Sequence, residues 1–170
     1  SGTLASFVAT GNTISNPGST AINVVGTGSA TTAFNLTQAT ITDNLISGAG
    51  EIGVQVSIGN SNAAGPPGTA GTLNSATAIV EISHNSITVD NDATHAIAFA
   101  STGANPSARS AMNVSVRCNG NNTGACHARN GTAISGGEEA NVIVFGNNGY
   151  SDMTAVIDAN TIAGKHLADS

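Results

Sequence analysis

The chain has no Trp, one Tyr and four Phe, so aromatics make up 3% of its 170 residues and charged residues only 8%. A core built on large rings is therefore excluded, and the interior has to be filled by aliphatic side chains from the 39% hydrophobic fraction. So little charge also excludes a charge-rich disordered tail. Lys and Arg number four against ten Asp and Glu, a formal net charge of -6. No basic surface is left to neutralise a run of phosphates, which argues against nucleic acid and anionic membrane as partners. No apolar run reaches the roughly 18 to 20 residues of a bilayer-spanning helix, so no membrane insertion is expected. The opening SGTLASFVAT has no basic stretch followed by an apolar one, which places any export signal outside this sequence. The length fits a single domain over 1–170.

What the chain does have is internal repetition. Five segments superpose on one Asn: FVATGNTIS on Asn12, ATITDNLIS on Asn44, VEISHNSIT on Asn85, VSVRCNGNN on Asn119 and AVIDANTIA on Asn160. Three positions before the Asn stand Ala9, Ile41, Ile82, Val116 and Ile157, and two after it Ile14, Ile46, Ile87, Asn121 and Ile162. Apolar residues at every second position mark a strand with one buried face. A second short strand follows at Ala21-Ile22, Gly53-Val54, Ala96-Ile97 and Ala133-Ile134, and the marker Asn recurs after 32, 41, 34 and 41 residues. Two strands per unit with a variable return leg predict an all-β solenoid, in which inward residues stack on their equivalents one coil away. The five Asn residues are expected at corners, in left-handed backbone, with their amides forming a ladder along the solenoid. NVIVF, from Asn141 to Phe145, reads as an extra strand in one return leg.

The units ITDNLIS, ISHNSIT and IDANTIA, each followed by a small residue and a branched aliphatic, resemble coils of the right-handed parallel β-helix of the pectate-lyase-like superfamily. The resemblance runs from about Phe7 to Ala163 and implies a right-handed parallel β-helix of about five coils with long loops. It implies little about activity, because that scaffold carries lyases, hydrolases, epimerases and non-catalytic surface proteins.

The longest return leg runs from Ile58 to Thr77 and contains Pro66 and Pro67; a second, from Ala100 to Ala111, carries Arg109. Cys118 and Cys126 flank a Gly- and Asn-rich insertion, where an intrachain disulfide and an oxidising compartment are the economical reading. The alternative is a metal held by Cys118, Cys126 and His127, for which no fourth ligand has a zinc spacing. N-x-S/T sequons stand at Asn35, Asn113, Asn121 and Asn130, the last two in the insertion and expected to be the accessible ones.

For chemistry, the densest polar cluster is Asp90, Asp92 and His95, two carboxylates able to share calcium beside a base. Glu138 and Glu139 form a second calcium candidate; apart from calcium, no cofactor is indicated. Asp43 and Asp158 stand near marker Asn residues but three units apart, too far to share one glycosidic bond. His84 and His166 read as surface residues. The catalytic motifs of the polygalacturonase-type hydrolases are missing, and only Thr40-Ile41-Thr42 offers the T-x-T pair of an ice-binding face. The expected function is thus a non-catalytic, secreted or cell-surface scaffold or adhesin segment, part of a longer repeat protein, whose loops bind a glycan or surface protein. Solenoid ends without evident caps add end-to-end self-association as an expectation. The competing reading is a carbohydrate-active enzyme, a polysaccharide lyase or glycoside hydrolase with a groove along one strand face, and it leaves the question of enzymatic activity open.

Overall fold

The computed structural model describes residues 2–28, 32–60, 75–90, 92–136 and 141–163. Within them lie fifteen strands: β1 (Gly2–Leu4), β2 (Phe7–Thr10), β3 (Thr13–Ser15), β4 (Ile22–Gly28), β5 (Phe34–Thr42), β6 (Leu45–Ala49), β7 (Ile52–Asn60), β8 (Ala76–Ser83), β9 (Ser86–Val89), β10 (His95–Gly103), β11 (Ser110–Arg117), β12 (Ile134–Ser135), β13 (Asn141–Gly149), β14 (Ser151–Asp158) and β15 (Ile162–Ala163). They form three sheets, ordered β1-β5-β8-β11-β14 with β2 also on β5, β4-β7-β10-β13, and β3-β6-β9-β12-β15. Every pairing between them is parallel. The chain visits the three sheets in turn and then returns to the first, the path of a parallel β-helix. Among the described residues there is no α-helix, only a 3-10 turn at Arg129–Gly131.

Each coil therefore contributes three strands where the repeat predicts two. The break falls at the marker Asn, which lies between two strands: the inward positions step from three before it to two after it, so the alternation shifts by one residue at the bend, as from Ala39 and Ile41 to Asn44 and Ile46. Inward side chains stack in columns along the axis. Ala9, Ile41, Ile82, Val116 and Ile157 are register partners, as are Phe7, Ala39, Val80, Val114 and Ala155. Ile41, Ile82 and Val116 are fully buried. Each such side chain contributes about 1.5–3 kcal/mol relative to exposure, which is how small and β-branched residues close a core without large rings. The β4-β7-β10-β13 sheet carries a ring contact, Phe99 stacked on Phe145 with centroids 5.0 Å apart.

The fourth coil corrects two expectations. Ile134 does not begin the strand that aligns with Ile22, Val54 and Ile97. It pairs with Ile162, and Ser135 pairs with Thr88, so Ile134 sits over Ile87 and fills the column that Asn121 vacates. NVIVF is then no extra strand: Ile143 pairs with Ile97 and Phe145 with Phe99, so β13 is the ordinary third strand of its coil. The insertion between Asn119 and Ile134 lengthened the offset from the marker, and fixed spacing alone assigned the wrong strand.

A third correction concerns the corner itself. The left-handed residues are Gly11, Asp43, His84, Cys118 and Ala159, each immediately before the marker Asn, with φ between 53° and 67°. Gly120 (φ 62°) follows one of these corners, and its N–H donates to Asn85 O at 2.7 Å. A Cβ there would stand 2.7 Å from Ile134 N and from Thr161 O. Gly120→Ala is expected to cost about 2–3 kcal/mol through this clash and the positive φ, measurable by urea denaturation; a stability within error of the parent would contradict the packing.

Candidate functional site

The marker Asn residues form a continuous ladder. Asn12, Asn44, Asn85 and Asn119 each donate from Nδ2 to Oδ1 of the Asn in the next coil at 2.9 Å. The same Oδ1 atoms accept the backbone N–H of the preceding Asn at 2.9–3.0 Å. The second amide hydrogen of Asn44, Asn85, Asn119 and Asn160 goes to the carbonyls of Ala9, Ile41, Ile82 and Val116. Asn44, Asn85 and Asn119 are fully buried, so these amides are committed to the architecture and are not offered to a ligand.

Cys118 and Cys126 form a disulfide. The bond fits a non-reducing environment, and it overturns the metal alternative with His127, because a disulfide leaves no thiolate to coordinate. Among the described residues no helix is long and apolar enough to cross a membrane.

The acidic turn lies between β9 and β10. Asp90 and Asp92 are exposed and His95 is half-buried, its Nδ1 3.3 Å from Asn141 O. Glu51 belongs to the same corner one coil earlier, with its carbonyl accepting from the N–H groups of Thr94 and His95. Calcium takes about six to eight oxygens. Among the described residues, no three His, Cys, Asp or Glu side chains gather so that they could hold a metal ion. Glu138, Glu139 and His166 lie outside the described residues. Asp43 and Asp158 stand in different columns, the Asp43 N–H donating to Ser83 O and Asp158 lying beside Arg117. His84 is half-buried, and its carbonyl accepts the Arg129 N–H at 3.0 Å. Of the sequons, Asn113 is exposed on β11, contrary to the expectation that its strand hides it, while Asn121 is half-buried and hydrogen-bonded to Ala159 O.

Another corner carries the variation. Strands β4, β7, β10 and β13 end and β5, β8, β11 and β14 begin along one edge, so residues 104–109 and Tyr150 turn there, and the sequence between Gly28 and Phe34 and between Asn60 and Ala76 joins strands that end and begin on that edge. These connections run from fifteen residues between Asn60 and Ala76 to the single Tyr150 between Gly149 and Ser151. Residues 29–31 and 61–74, which include Pro66 and Pro67, lie outside the described residues. The stems are tied down: Tyr150 N donates to Gly103 O at 3.0 Å, Ser110 N to Tyr150 O at 3.2 Å, and Ser110 Oγ to Thr102 O at 2.7 Å. On this edge the Asn105 side chain caps its own turn by accepting from the N–H groups of Ser107 and Ala108. Arg109 grips Asp152 with Nη2 2.8 Å from Oδ2, both side chains more than half exposed. Such a pair adds at most about 1 kcal/mol to stability, so its effect is to hold a guanidinium and a carboxylate at fixed places in solvent. Tyr150, the sole tyrosine of the chain, is 46% exposed beside them. Sequence reading passed over Tyr150 and Asp152; the signal available was a lone aromatic wedged between two strand-like runs.

No family model, no curated protein and no solved structure matches this chain.

Proposed function

We propose that this chain is a secreted or cell-surface β-solenoid of the right-handed, pectate-lyase-like kind, acting as a non-catalytic scaffold that binds a glycan or a surface protein along its return-leg edge. The observation behind it is the uneven distribution of freedom. The marker-Asn corner turns in two or three residues in four of its five passes, with the 118–133 insertion in the other, and the next corner takes two to six, while the legs at the third vary from one to fifteen residues along a single edge. That edge also carries an exposed Tyr and a fixed guanidinium, groups that supply contact area and hydrogen bonds to sugars and proteins alike. The insertion at Cys118–Cys126 is not part of this surface, since it is folded against another corner.

The test is binding to a panel of immobilised glycans and to whole cells, comparing the parent with a variant in which a short Gly-Ser linker replaces residues 62–72 and with Tyr150→Ala. Loss of at least about tenfold in affinity in either variant, with unchanged circular dichroism and melting, supports the reading. Calcium-dependent depolymerisation of an acidic polysaccharide that disappears in Asp90→Ala/Asp92→Ala would overturn it in favour of an enzyme.

A further inference from the structure

The segment between Asn119 and Ile134 lies along the ridge of left-handed corner residues, Gly11, Asp43, His84, Cys118 and Ala159, one from each successive pass of the chain. It is bonded to that ridge at several levels. At the last corner Asn121 Nδ2 donates to Ala159 O at 2.8 Å. One level earlier the Cys118–Cys126 disulfide closes the base of the segment. At the level of His84 the Arg129 N–H donates to His84 O at 3.0 Å, and Ser86 Oγ donates to Arg129 O. The Arg129 guanidinium then passes over the second coil: Nη1 donates to Gly11 O and, at 3.0 Å, to Asn12 O in the first.

We infer that this segment is a redox-set strap that latches the first coil onto the body of the solenoid. In a solenoid each coil rests only on its neighbours, so an end coil opens before the middle does. The described part of the first coil is one of two weak ends: Phe7, Ala9 and Ile14 are half-buried and, at the far end, Ile157 and Ile162 are exposed, whereas their column partners Ala39, Ile41 and Ile46 are fully buried. A guanidinium anchored at the third coil and bonded to the first bypasses the nearest-neighbour rule. A guanidinium is a charged donor, and its hydrogen bonds exceed neutral ones in strength. Its aim depends on where the backbone of Ala128 and Arg129 sits, which the disulfide two and three residues earlier fixes. A dithiol reductant opens the latch: its thiolate attacks one cystine sulfur to give a mixed disulfide, and its second thiol then displaces that sulfur. One S–S bond is broken in the protein and one forms in the oxidised dithiol, whose two electrons and two protons pass to Cys118 and Cys126, which become thiols.

Hydrogen exchange of the folded protein, read on peptides covering 7–15, 78–83 and 112–117, tests this without denaturation. Mild dithiothreitol is expected to raise exchange in 7–15 about tenfold while the β8 and β11 peptides hold steady. Arg129→Ala, with the disulfide intact, should produce the same rise, and reducing that variant should add nothing further in 7–15. Acceleration confined to 120–133 on reduction, equal acceleration in all peptides, or additive effects of reduction and Arg129→Ala would each overturn the strap.

Discussion

Ile82→Asp is expected to cost more than about 4 kcal/mol of folding free energy, enough to unfold many domains of this size, because it buries a carboxylate with no partner. Ile82 is fully buried, stacked between Ile41 and Val116 in the middle of its column, and the next column holds Val80 and Val114. At 0% exposure the side chain does not meet solvent, and its register partners Ile41 and Val116 are aliphatic. On the same sheet, Asn113 points the other way and is exposed, so Asn113→Asp is expected to change stability by less than about 0.5 kcal/mol. Urea denaturation of the two variants checks the inward-outward register directly; comparable losses would mean that the two faces of the sheet are not distinguished.

The second large effect is expected at Asn85. Its Oδ1 accepts from the backbone N–H and the side-chain amide of Asn44, and its Nδ2 donates to Asn119 Oδ1 and to the carbonyls of Ile41 and Ser83. Asn85→Ala strands several of these groups in a fully buried corner. At about 1–3 kcal/mol for each unsatisfied group, a total loss of about 3–5 kcal/mol is expected. Asn12, at the exposed end of the ladder, donates only to Asn44, so Asn12→Ala should cost about 1 kcal/mol or less. Chemical denaturation resolves the difference. Equal losses at Asn12 and Asn85 would show that the ladder's contribution does not depend on burial, and the architectural reading of the buried amides would fail.

Both effects trace to the part of the molecule that the amino-acid order discloses. Side chains two apart point to one face of a strand, and identical offsets from successive Asn residues must stack if the units stack at all, so the columns through Ile82 and Val80 could be read without coordinates. The proximity of Cys118 and Cys126 in sequence likewise allowed only a short closed loop. The acidic turn at Asp90 and Asp92 was legible too, but as composition alone, since two exposed carboxylates say nothing about a third oxygen donor until neighbouring coils are laid beside them.

What the sequence by itself determined, then, is the inward pattern, the ladder and the all-β solenoid, because those follow from a local period repeated along the chain. A one-residue shift in the alternation at each Asn does not say which residue turns, so the tertiary structure decided that three strands and not two make a coil, and that Gly11, Asp43, His84, Cys118 and Ala159 turn the corner ahead of the five Asn residues. It decided that Ile134, displaced by the insertion, fills the place Asn121 left empty, since competition for a column is settled by packing and not by spacing. It also brought together groups that are unrelated in the chain, Arg129 with Gly11 and Asn12, and Arg109 with Asp152 beside Tyr150, because a rise of about 4.8 Å per coil makes neighbours of residues some forty or more positions apart, which no local pattern records.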